Sequence, residues 1–171
     1  DLSDTKLAYL DCGNSDIEEL VWNERLRTLL LNGVVRMKEL DISDTGIEAL
    51  HASDSKIEDF RLNKALTYLD CAGSQVKSLD LSTCTGLRTL EAGSTSIASL
   101  DVSGNTLLED LDVKSTALKE LDITKNTALK KLDCSSTGIS RLDIGKNTEL
   151  GSLDCSSTGI DRLDTSANTK L

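Results

Sequence analysis

The chain has 171 residues, 19 basic against 29 acidic side chains for a formal net charge of −10, no proline, and 2% aromatic residues. The acidic balance disfavours a nucleic-acid partner, and the scarcity of Phe, Tyr and Trp speaks against an ordinary globular core. There is no 18-residue apolar run and no signal-peptide pattern, so membrane insertion is not expected.

Read from the N-terminus, a double motif of the form L-x-x-L-x-L-x-x-N recurs. In its first halves the second leucine falls at Leu10, Leu29, Leu50, Leu69, Leu90, Leu111, Leu132 and Leu153. In its second halves that position is Leu20, Leu40, Phe60, Leu79, Leu100, Leu121, Leu142 and Leu163. Most first-half steps are 21 residues; Leu10 to Leu29 and Leu50 to Leu69 are 19. A period of this length with this spacing is the leucine-rich-repeat signature. The expected fold is therefore a mostly β leucine-rich-repeat solenoid of about eight coils, with two stacked parallel sheets and little helix. Residues 1–171 read as a single leucine-rich-repeat domain. The chain starts in mid-repeat and has no obvious cap at either end, so it is expected to be a fragment of a longer protein.

Within one half-motif, Leu132 and Cys134 are two apart and share a strand face, with Asp133 opposite. The inward set of that coil is Leu132, Cys134, Leu142 and Ile144. Turns rich in Ser, Thr, Gly and Asn follow each strand. At about 4.8 Å per coil, eight coils span roughly 38 Å. Second halves end on Asn105, Asn126, Asn147 and Asn168, with Cys84 in the same place; first halves end on Ser15, Ser55, Ser74, Thr95, Thr116, Thr137 and Thr158. These residues can offer a polar atom to turn backbone, and a structural ladder is expected.

Cys12, Cys71, Cys134 and Cys155 share the inward position that Ala52, Ala92 and Val113 fill elsewhere. A small apolar column fits buried, reduced thiols. Cys134 and Cys155 sit on adjacent coils with α-carbons about 5 Å apart, but their side chains point the same way rather than at each other. One histidine and no convergent ligands argue against a metal site.

The residue between each inward pair points outward. It is acidic at Asp11, Asp70, Glu91, Asp112, Asp133 and Asp154 in first halves, and at Asp41, Asp80, Asp101, Asp122, Asp143 and Asp164 in second halves. His51 and Leu30 interrupt the first row. Stacked like charges are expected to raise these carboxyl pKa values, so that protonation near pH 4–5, roughly the model carboxylate range, stabilises the fold. Calcium is the sharper alternative to a solvated acidic surface, but regular rows lack the cage a tight site needs, so it is not favoured.

The outward first-half set varies most in the N-terminal coils, where it includes Tyr9, Arg27, His51, Tyr68 and Arg88. Tyr and Arg are enriched at binding hot spots. These five residues are the candidate partner-binding set. Tyr9 and Tyr68 occupy equivalent positions three coils apart, about 14 Å by strand spacing. The later coils are bland, with Gly151, Ser152, Ser156 and Ser157. Trp22 falls at an inward position and is assigned to the core. No catalytic residue or cofactor is assigned: there is one histidine, no Gly-rich phosphate loop, and no paired nucleophile and base. The alternative to a protein-binding module is an ice- or crystalline-polymer-binding face along Thr95, Thr116, Thr137 and Thr158, which requires those threonines to point outward.

The strings LDCSSTGISRLDIGKNTEL, LDCSSTGIDRLDTSANTKL and LDCAGSQVKSLDLSTCTGL resemble bacterial surface leucine-rich repeats. They are most similar to the 21-residue cysteine-containing kind of internalin J and Bacteroidetes surface proteins. The resemblance implies a non-enzymatic recognition or adhesion domain, extracellular or at the cell surface, with a protein or surface glycan as partner. It carries over no functional residue, because the matched positions are scaffold positions. This chain departs from the pattern in using Ser or Thr where a first-half Asn is usual.

Overall fold

The computed structural model describes residues 2–171. Ten three-residue strands follow the motif: β1 (Tyr9–Asp11), β2 (Thr28–Leu30), β3 (Glu39–Asp41), β4 (Ala49–His51), β5 (Asp59–Arg61), β6 (Tyr68–Asp70), β7 (Thr89–Glu91), β8 (Asp110–Asp112), β9 (Lys131–Asp133) and β10 (Ser152–Asp154). The described residues contain no helix. Eight strands form one parallel sheet in the order β1-β2-β4-β6-β7-β8-β9-β10, so seven full turns of solenoid join them. Their register keeps the leucines in line, from Leu10↔Leu29 to Leu153↔Leu132.

The expected register holds. Leu132, Cys134, Leu142 and Ile144 are all buried, while Asp143 is exposed and Asp133 half-buried. A one-residue slip would have inverted both faces. The core is a stack of aliphatic columns, each coil packing on its neighbours. Trp22 is partly buried against this core.

The two sides of the coil are not equal. The second parallel sheet consists of β3 and β5 alone; the later second halves run extended without pairing, although their motif also reads as strand. Return length explains the difference. The chain takes nine residues from Leu20 to Leu29 and from Phe60 to Leu69, and ten from Leu40 to Leu50. From Leu79 to Leu90, and at each later return, it takes eleven. Shorter returns draw neighbouring coils together on that side, and longer ones let them stand apart. The first-half side keeps a continuous ladder, which holds its coils at about 4.8 Å. A ladder continuous on one side only favours curvature toward that side, and the outward face of the eight-stranded sheet is taken as the concave one.

Each first-half strand ends in a turn with one left-handed residue per coil: Asn14, Gly33, Asp54, Gly73, Ser94, Ser115, Ser136 and Ser157, with φ between 54 and 68°. The amide of that residue still bonds the next coil, as in Ser136 N–H to the Ser156 carbonyl at 2.9 Å. The strained conformation is thus retained because it carries the ladder three residues past the strand. In five coils the following residue, Ser15, Thr95, Thr116, Thr137 or Thr158, closes the turn by donating to the carbonyl three residues back, as Thr137 Oγ1 does to Cys134 at 2.7 Å.

The longer returns are closed by asparagines. Asn126 Nδ2 donates to the carbonyls of Val102 and Asn105, both at 2.9 Å. Asn147 and Asn168 repeat this one and two coils on. Cys84 stands in for this amide with a single thiol bond to the Asn63 carbonyl. The Oδ1 atoms of Asn126, Asn147 and Asn168 stay buried without a protein partner, a cost that the two Nδ2 bonds of each side chain offset.

Candidate partner-binding face

The concave face is built by the residues flanking each inward leucine. Register sets Tyr9, Thr28, Ala49, Tyr68 and Thr89 in one column, and Asp11, Leu30, His51, Asp70 and Glu91 in the next. Four of the five candidate residues gain a definite neighbour here. Tyr68 donates its phenol to Glu91 Oε1 at 3.0 Å, and its ring lies 4.5 Å from that of His51, tilted by 32°. Burial first, and then the bond to Glu91, raise the Tyr68 phenol well above its ordinary pKa. Arg27 reaches Glu48 at 3.6 Å and donates to the Glu24 and Leu26 carbonyls. Arg88 pairs with Glu109 at 2.5 Å.

The structure thus brings His51 and Tyr68 together, with Arg88 just outside them. Tyr9 stands apart at the N-terminal edge, 56% exposed, separated from Tyr68 by Thr28 and Ala49 in the register. Leu30, half-buried, belongs to the same strip. Its signal in the sequence was an apolar residue in a row that is otherwise acidic except at His51.

The later coils carry more than their small residues suggest. Glu91, Asp110, Asp112, Asp133 and Asp154 line a groove of about 390 Å³ over β7 to β10. Lys114 Nζ lies 2.7 Å from Asp112 and 3.8 Å from Asp133, and Lys131 lies 3.1 Å from Asp110. The sequence signal for Lys114 was a long side chain in a column otherwise made of Gly13, Asn32, Ser53, Ala72, Gly93, Ser135 and Ser156.

Six members of the acidic rows shift opposite to expectation. The aspartates of the rows accept the backbone N–H two residues on, as Asp80 does from Ser82 at 3.0 Å and Asp164 from Ser166 at 2.9 Å. The neighbouring hydroxyl first, and that backbone bond second, hold Asp41, Asp80, Asp101, Asp122 and Asp154 below the usual carboxylate range. At Asp164 the backbone bond is the larger cause. Repulsion from Asp122 is the smallest contribution at Asp101. Local hydrogen bonds therefore win over stacking repulsion, because the charges face water and the donors are in contact.

All five cysteines are unbridged; Cys71, Cys84 and Cys134 are buried, and Cys12 and Cys155 half-buried at the two ends. Burial first, and then Cys155, push the Cys134 thiol up to about 12. Thr95, Thr116 and Thr137 are buried, and each donates to its own coil's backbone. They offer no outward array for ice or a crystalline polymer. Among the described residues, no group of three or more His, Cys, Asp or Glu could hold a metal ion, and no helix is long and apolar enough to cross a membrane.

No protein-family model matches the sequence, and no curated protein matches it. Solved structures do. The functional domain of internalin J from Listeria monocytogenes, described as including a cysteine ladder, is similar over 100% of this chain at 30% identity and a TM-score of 0.73. This chain spans only 44% of that one. Internalin C2 from the same organism is similar over 95% of this chain and 77% of its own, at 16% identity and a TM-score of 0.76. A leucine-rich-repeat protein of Leptospira interrogans is similar over 99% of this chain and 59% of its own, at 16% identity and a TM-score of 0.63. The last two likenesses concern the fold alone.

Proposed function

Because this chain is a leucine-rich-repeat protein of the cysteine-containing bacterial type, we propose that it is a non-enzymatic protein-binding module of a bacterial surface or secreted protein, used for adhesion. The proposed binding surface is the concave face of β1, β2, β4, β6 and β7, with Tyr9, Arg27, His51, Tyr68 and Arg88 as its contacts. The observation that carries this reading is the Tyr68 cluster. An aromatic side chain on an uncovered strand face is held in place by Glu91 and His51. A preordered aromatic loses little entropy on contact, which is the character of a hot spot. The internalin neighbours support an interaction module as the general class.

The test is a comparison of variants against a partner isolated by surface pull-down. Tyr68→Ala should leave the fold intact and weaken binding by at least about tenfold. Ser157→Ala, at the far end, should leave affinity unchanged. Equal affinity for Tyr9→Ala, Tyr68→Ala and Ser157→Ala would move the surface elsewhere.

A further inference from the structure

We infer that the concave face takes a protein segment that lays an apolar or aromatic side chain over the first four coils and lysine or arginine side chains over the last four. This rests on the binding face proposed above and adds the chemistry of its occupant. The face changes character at one hydrogen bond. On the N-terminal side of the Tyr68–Glu91 contact the register sets Tyr9, Thr28, Ala49 and Tyr68 in one uncharged column, with Leu30 and His51 between Asp11 and Asp70 in the next. On the other side Glu91, Asp112 and Asp133 follow in unbroken register, and Asp154 continues the row on β10.

Charge complementarity selects the partner for that second zone. The groove holds five carboxylates, Glu91, Asp110, Asp112, Asp133 and Asp154, and among the described residues two ammonium groups reach them, those of Lys114 and Lys131. Lys114 shows that an ammonium fits between carboxylates of adjacent coils, bridging Asp112 and Asp133. The next interval, Asp133 to Asp154, has Ser135 and Ser156 in the column that Lys114 occupies, so a partner's cation finds the same spacing open. Nucleic acid and an anionic lipid surface are repelled by this row, whereas a basic protein segment is steered to it. The apolar strip then supplies area and the acidic row supplies orientation, so the segment lies along the solenoid axis in one direction.

The experiment uses two synthetic 12-residue peptides, each with one tryptophan near its end. One carries four lysines alternating with serines; the other carries glutamates in their place. Binding to the full 171-residue chain is followed by fluorescence anisotropy at low and high salt. The charge variant is Asp112→Asn, Asp133→Asn and Asp154→Asn together. Asparagine keeps the Oδ1 that accepts the backbone N–H of residues 114, 135 and 156, so the turns persist, and thermal unfolding checks this. The lysine peptide should bind the unaltered chain, more weakly in high salt, and at least about tenfold more weakly to the triple variant. The glutamate peptide should not bind. Equal binding of the lysine peptide to the triple variant, equal binding of the glutamate peptide, or no binding of the lysine peptide up to about 1 mM would overturn the inference. If charge removal has no effect while Tyr68→Ala still weakens the isolated partner, the basic segment is wrong and the binding face stands. If neither change matters, both fall.

Discussion

The coils up to Leu69 and those after it are built on one motif, yet they solve the return to the next coil differently. Up to Leu69 the returns are nine or ten residues, β3 and β5 pair, and Asn63 reaches Thr45 and the Ile47 carbonyl. After Leu69 the returns are eleven residues, no second sheet forms among the described residues, and Asn126, Asn147 and Asn168 each bond the asparagine carbonyl of the coil before. The surface follows the same division. Regular coils present Asp, Ser and Lys; irregular coils present Tyr9, Leu30, His51 and Tyr68. A solenoid tolerates this because each coil answers only to its neighbours, so local drift in sequence stays local in structure.

The largest effect that would sharpen this contrast comes from the asparagine ladder. Asn126→Ala removes both Nδ2 bonds, leaving the Val102 and Asn105 carbonyls only their backbone donors, the N–H groups of Asn105 and Leu108, and should destabilise the fold by about 2–3 kcal/mol. Asn23→Ala, at the N-terminal end where the Nδ2 atom bonds only the Thr5 hydroxyl, should cost clearly less. Urea unfolding of the two variants measures both; equal losses would mean that the ladder is no stronger in the regular coils.

The cysteine column offers a smaller step. Cys134 is fully buried and Cys12 is not. Cys134→Ser places a hydroxyl in an apolar column and should cost about 1–3 kcal/mol, whereas Cys12→Ser should cost little. In the native state a thiol reagent should reach Cys12 and Cys155 first. Rapid labelling of Cys71 and Cys134 without denaturant would contradict the packing.

The mildest probe is pH. The lowered carboxyl groups contribute stability that is fully present above the unfolded-state range, near about pH 4, and that is lost as pH falls through their folded values. The melting temperature should therefore hold from pH 7 to pH 5 and decline below. Of the eight lowered carboxyl groups among the described residues, only Asp41 precedes Leu69; Asp80, Asp101, Glu109, Asp122, Glu149, Asp154 and Asp164 follow it. Acid should accordingly open the later coils first, seen as earlier loss of amide protection there. Asp122→Ala, which removes the acceptor for Thr124 N–H and Oγ1, should lower stability more than Asp122→Asn. A melting temperature that rises between pH 5 and pH 4 would restore the repulsion picture.

How much of this was readable in the sequence follows from which interactions are periodic. The inward columns were legible because Leu132, Cys134, Leu142 and Ile144 repeat at fixed spacing, and burial enforces one register. The inward turn of Thr95, Thr116 and Thr137 was legible for the same reason. Pairing in the second halves was not, because the motif around Leu100 or Leu121 looks like that around Leu40. What decides pairing there is the number of residues in the return. The sign of the carboxyl shifts was missed because the row of charges is visible along the sequence, whereas the Ser82 or Thr124 bond that outweighs it depends on turn geometry. The Tyr68 partners were hidden for a related reason. Glu91 is 23 residues away, and only the stacking of coils puts it within 3.0 Å.

The claim that most needs a direct test is that a partner sits on the concave face of the N-terminal coils. A photo-crosslinking side chain placed at Ala49, on that face beside Tyr68, and another at Ser99, exposed on the opposite side of the solenoid, separate the two surfaces. With the isolated partner, Ala49 should give the cross-linked complex and Ser99 should not. A complex formed from Ser99 alone would contradict the account.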